Sequence, residues 1–112
     1  MATTTFSGPV VSQNGFIAGT GSATITKVLT ATASLNFPSI SAAGQQDLTI
    51  TVTGAATGDE VILSLPAAPT AGLVFNAFVS AANTVTVRAS NITASPIDPA
   101  AASFGVIVIN AA

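Results

Sequence analysis

The chain has 112 residues, 49% of them hydrophobic, which suffices for one domain with a modest core. Only 5% are Asp, Glu, Lys or Arg, against roughly 25% in an ordinary soluble domain, and Asp47, Asp59, Glu60 and Asp98 outweigh Lys27 and Arg88 for a net charge of -2. With no His, Cys, Trp or Tyr, the chain has no means to build a Ser-His-Asp or Cys-His catalytic unit, a zinc or haem site of the usual kind, or a disulfide, and two isolated cations do not make the basic groove that tracks a nucleic acid.

Met1 is followed by Ala2-Thr3-Thr4-Thr5, without the positive stretch and apolar core of a signal peptide, and no apolar run reaches the ~18 residues of a spanning helix. The expectation is a product made in the cytoplasm, with no membrane partner. Residues 1–21 set Gly8, Pro9, Gly15, Gly19 and Gly21 around Phe6, Val10, Val11, Phe16 and Ile17. Glycine at this density makes helix costly. The segment reads either as an extended arm that docks its aromatic side chains on a partner, or as a first hairpin with Asn14-Gly15 as its tight turn.

Residues 22–112 read as a single β-sandwich domain. Ala23, Ile25 and Lys27 alternate with threonines, and Ala31, Ala33, Leu35 and Phe37 alternate with Thr32, Ser34 and Asn36 until Pro38 stops the ladder. Leu48, Ile50 and Val52 share one face of the next strand and Thr49, Thr51 and Thr53 the other, the pattern of a sheet with one buried and one wet side. After a turn at 54–59, Val61, Leu63 and Leu65 line one face while Ile62 joins Ser64 on the opposite one. Leu73, Phe75, Ala77 and Val79 then alternate with Val74, Asn76, Phe78 and Ser80, so Phe78 is expected to contact something outside the core. Ala81-Ala82-Asn83-Thr84 turns into Val85-Thr86-Val87-Arg88-Ala89, where Arg88 points away from the valines, either towards Asp59, Glu60 or Asp98 or as a charge blunting an exposed strand. The closing run from Phe104 to Ile109 is apolar on both faces, which predicts a central or interface strand.

Short strands separated by Gly, Pro and Ser turns predict an all-β fold, an antiparallel β-sandwich of jelly-roll or immunoglobulin-like type, with the strand order left open by alternation alone. The many alanines fit between sheets that approach closely. Segments such as Val61–Leu65 and Val106–Ile109 would aggregate if exposed, and a surface this poor in charge favours association, so a homo-oligomer is expected. Asp59 and Glu60 are adjacent at a turn and diverge in an extended backbone, too few carboxylates for a glycosidase cleft or a calcium cage. They are read as solvated, and neither an enzyme nor a cofactor is expected. Asn91-Ile92-Thr93 matches the glycosylation acceptor pattern, a match common by chance in a Thr-rich chain.

The stretch Gly58-Asp59-Glu60-Val61-Ile62-Leu63-Ser64-Leu65-Pro66, continuing from Ala71 to Asn91 and through Ile97-Asp98-Pro99-Ala100, resembles a small module recurrent in tailed-bacteriophage virion proteins. The opening from Phe6 to Phe16 is similar to the beginning of small phage structural proteins encoded near the capsid genes. The resemblance implies a non-enzymatic virion component on the capsid surface, a decoration or cement protein that binds the major capsid protein. A tail or fibre accessory protein is the second placement. A trimer is expected by analogy with decoration proteins, and the side chains expected at interfaces are Phe6, Phe16, Ile17, Phe78, Ile107 and Ile109.

Overall fold

The alternating segments all become strand, and no helix forms among the described residues. The structure is a computed structural model that describes residues 3–111. Met1, Ala2 and Ala112, the outer ends of the two expected units, lie outside the described residues. The strands are β1 (Phe16–Ile17), β2 (Thr24–Leu35), β3 (Gln45–Thr51), β4 (Glu60–Ser64), β5 (Leu73–Ala81), β6 (Thr84–Asn91) and β7 (Ala102–Ala111).

They form two antiparallel sheets, a four-stranded one in the order β1-β2-β7-β4 and a three-stranded one in the order β3-β6-β5. The sheets stack in a β-sandwich-like arrangement, with β2 over β3 and β4 over β5. Burial follows the alternation: Leu48, Ile50 and Val52 turn inward and the three threonines between and after them outward. The run from Phe104 to Ile109 is central, flanked by β2 and β4. Ile40, Val85, Val87, Val106 and Val108 are fully buried. Small Ala89 within this core, and Ala31, Ala33 and Ala77 packed against it, let the sheets approach.

One end of the core is aromatic. Phe104 lies 5.3 Å from Phe75 and 5.9 Å from Phe37 between ring centroids, tilted or edge-on as ring quadrupoles prefer. Asn91 is buried beside this core, its amide donating to the carbonyls of Ile40 and Ser95 and accepting from the Thr93 N–H and hydroxyl. That saturated amide closes the loop after β6 and leaves no free nitrogen for a glycan.

The two alternating runs before Pro38 form one strand, β2, in which the register shifts between Ile25 and Lys27. Two expectations change. Asn14-Gly15 lies at a turn that joins no hairpin; the first hairpin pairs Phe16 with Ile25 and Ile17 with Thr24 across the loop from Ala18 to Ala23. Arg88 neither pairs with Asp59, Glu60 or Asp98 nor blunts an edge: it sits on the central strand β6 and pairs with Asp47 of β3. No helix of the described residues is long and apolar enough to cross a membrane.

Candidate interaction surface

The two outer faces differ in chemistry because directly opposed residues share a face, and the register sorts them. On the four-stranded sheet, Val28 faces Ile109 and Ile109 faces Glu60; in the next row of that face Thr30, Ile107 and Ile62 are aligned, and then Thr32, Gly105 and Ser64. One half of this face is therefore apolar and the other is Thr, Gly and Ser. Val28 is 64% exposed, Ile62 55% and Ile107 40%.

The bulge in β2 extends the patch. A regular strand would put Ile25 on the same face as Lys27, whose amine turns to Asp59. The shifted register instead pairs Ile25 with Ala111 and with Phe16. Phe16, Ile25 and Val28 wall one shallow groove together with Thr26, Lys27, Ser12 and Gly15. Gly15 is required there: it has φ of 97°, and a Cβ would lie 2.6 Å from the Ile25 carbonyl oxygen.

The three-stranded outer face is polar. Thr49 faces Thr86 and Thr51 faces Thr84, while Arg88 donates from Nε and Nη2 to Asp47 at 2.8 and 2.9 Å. That forked pair holds the Asp47 carboxyl below the usual range. Phe78 is on this face, and the Arg88 guanidinium lies 5.2 Å from its ring centroid.

Asp59 is the second correction to the charges. Its side chain is 2% exposed rather than solvated, and it accepts from the Ala56 N–H at 3.0 Å, Lys27 at 3.0 Å and Asn110 at 2.7 Å. These donors, the backbone N–H foremost, hold its carboxyl below the ordinary value of 3.8. Lys27 also donates to the Gly54 carbonyl at 2.9 Å, so the cluster ties β2, the β3–β4 connection and β7 together. Both cations are thus engaged inside the fold, and among the described residues no ion pair involves Glu60 or Asp98.

A cavity of about 210 Å³ opens at the aromatic end, lined by Phe37, Phe75, Phe104, Pro66 and Pro99, with Thr70 as its one polar side chain. Its lining has no titratable side chain, so no base stands in it beside the Thr70 hydroxyl.

Of the expected interface residues, Phe16, Ile107 and Ile109 belong to the apolar face, with Ile109 half-buried between Val28 and Glu60. Ile17 is exposed on the same short strand but alternates away from Phe16. Phe78 lies on the other sheet, and Phe6 is 67% exposed in the segment before β1. Val28, Ile25 and Ile62 complete the patch and are not among the expected interface residues. Val28 is visible as a break in the alternation; Ile25 is not, since its orientation depends on the bulge. The chain matches no protein-family model, no curated protein and no solved structure.

Proposed function

We propose that this chain is a non-enzymatic virion structural protein that seats on the outer surface of a phage capsid and stabilises contacts between capsomers, as a trimer on the major capsid protein. The observation that carries the reading is the apolar half-face of Val28, Ile107, Ile109 and Ile62, whose aligned rows carry Glu60 as a charge while Lys27 lines the adjoining groove. Such a face is costly in water and well suited to a broad, chemistry-free contact. Symmetric copies across a capsomer joint can reach the roughly 1,200–2,000 Å² of a stable interface.

The strand order favours the jelly roll over the immunoglobulin type. Consecutive strands β2, β3, β4 and β5 alternate between the sheets, and β2 with β7 and β3 with β6 form nested antiparallel pairs in opposite sheets. That is a long hairpin folded over on itself, as in a shortened jelly roll. The segment before β1 reads as an arm, since residues 3–14 are exposed and outside any strand. The radius of gyration of 17.7 Å and long axis of 58 Å also exceed those of a compact chain, for which about 13 Å is usual near this length.

Imaging purified particles at a resolution that places each density tests this assignment. Copies distributed over capsomer junctions with the four-stranded sheet towards the shell are expected. Density confined to the tail would transfer the protein to the tail or fibre accessory class, and its absence from particles would end the virion reading.

A further inference from the structure

We infer that the free edge of β2 receives the amino-terminal segment of a second copy of this chain. From Val28 to Leu35, β2 pairs with β7 on one side. Among the described residues its other side pairs with β1 alone, at Thr24 and Ile25. Every second residue of that stretch turns its N–H and C=O away from β7, so a row of main-chain donors and acceptors is open. Proteins usually blunt such an edge with charge or proline. The sequence Val28-Leu29-Thr30-Ala31-Thr32-Ala33-Ser34-Leu35 has neither.

A segment of fitting length precedes β1 and is not paired with this edge. Residues 3–14 lie outside any strand, with Phe6 and Val11 67% and 85% exposed. Continued backward at the β1–β2 register, Val11 falls opposite Thr30 and Phe6 opposite Leu35, to within the one residue displaced by the bulge. Phe6 would then reach the end of the sheet where Leu35 and the aromatic core residues Phe37 and Phe104 lie. The chain's own segment is diverted from this lane by the Gln13-Asn14 turn, the left-handed Gly15 and the hydrogen bond donated by the Ser12 hydroxyl to the Gly15 carbonyl. An element that matches its own edge in length and register but is steered away by a hinge is the arrangement that exchanges between copies. Pro9 is tolerated on such an outermost strand where its missing N–H faces solvent. The contact involves this chain alone and does not depend on a capsid.

The absence of cysteine makes the test clean. Val11→Cys protein is mixed with Thr30→Cys or Thr32→Cys protein under mild oxidation, all three positions being exposed, with the exposed Thr53→Cys in the turn after β3 as control. A disulfide between the two different chains, absent with the control, is expected, together with loss of amide protection along Val28–Leu35 when residues 3–14 are deleted. A disulfide that forms only within a Val11→Cys/Thr30→Cys double variant would put the segment on its own edge and overturn the inference. No disulfide in either arrangement would overturn it as well.

Discussion

Arg88 and Asp47 occupy one register position of the β3–β6 pair, and the guanidinium closes on both carboxylate oxygens at 2.8 and 2.9 Å. The same guanidinium shelters the Phe78 ring on its other side. One of the two cations thus clamps an edge strand and packs over an aromatic ring, whereas Val28, Ile62 and Ile107 on the other sheet stay exposed. Both side chains of the pair are well exposed, so screening should reach them. Asp47→Asn is expected to lower the melting temperature only slightly in dilute buffer, and the difference from the parent should vanish in about 1 M salt, where the Debye length is ~3 Å. Calorimetry at the two salt concentrations checks this.

Acid should act chiefly through Asp59. Its folded-state pKa lies below the ordinary 3.8, so its contribution to stability is fully present above about pH 4 to 5 and is lost as pH falls through the lower folded value. Asp47 shifts in the same direction and adds to the same limb. Denaturant midpoints should therefore be flat near neutrality and fall below about pH 4. Asp59→Asn should be less stable at neutral pH, because Lys27 loses its carboxylate partner, and should show a shallower acid limb. An equally steep limb in that variant would assign the acid sensitivity elsewhere.

Phe104 closes the aromatic end of the core against Phe37 and Phe75 and is 3% exposed. Truncation to alanine removes a buried ring beside an existing cavity, and Phe104→Ala is expected to cost about 3–5 kcal/mol. Phe104→Leu should cost distinctly less, since it keeps most of the volume. Urea titrations give both values.

How far the sequence reveals this molecule depends on whether a feature is local. The inward set Leu48, Ile50 and Val52 and the outward Phe78 follow from a period of two that each strand carries by itself. Which strands neighbour one another is a long-range fact, so β7 is recognisably central but its partners β2 and β4 are not legible. Arg88 finds Asp47 because the β3 register aligns them over 41 positions of chain. Asp59 stands at a turn, where exposure is the usual outcome, yet Lys27 and Asn110 from two other strands enclose it. The candidate surface is legible at Ile107 and Ile109 and hidden at Ile25, whose face is set by a bulge.

Gly15 separates the amino-terminal segment from β1, and its place is strict. Gly15→Ala would strain a φ of 97° and drive a Cβ against the Ile25 carbonyl. The expected result is local: faster amide exchange at Phe16 and Ile17 with the main melting transition little changed, because β1 adds two residues to the edge of a sheet whose core lies elsewhere. Exchange measured residue by residue distinguishes this from global destabilisation.

The apolar half-face makes the last prediction. Val28, Ile62 and Ile107 are 64%, 55% and 40% exposed, so the isolated fold gains little from their methyl groups, whereas a partner seated on them would bury most of what remains. Threonine keeps the branched shape that a strand favours while adding a hydroxyl that must be desolvated in a contact. The triple variant Val28→Thr, Ile62→Thr, Ile107→Thr is therefore expected to change folding stability by no more than about 0.5 kcal/mol per site, and to weaken capture by purified particles at least roughly tenfold, equivalent to about 1.4 kcal/mol. Melting and particle-binding measurements on the same preparations separate the outcomes. A large drop in melting temperature would make these side chains part of the core, and unchanged capture would move the shell contact away from the four-stranded sheet.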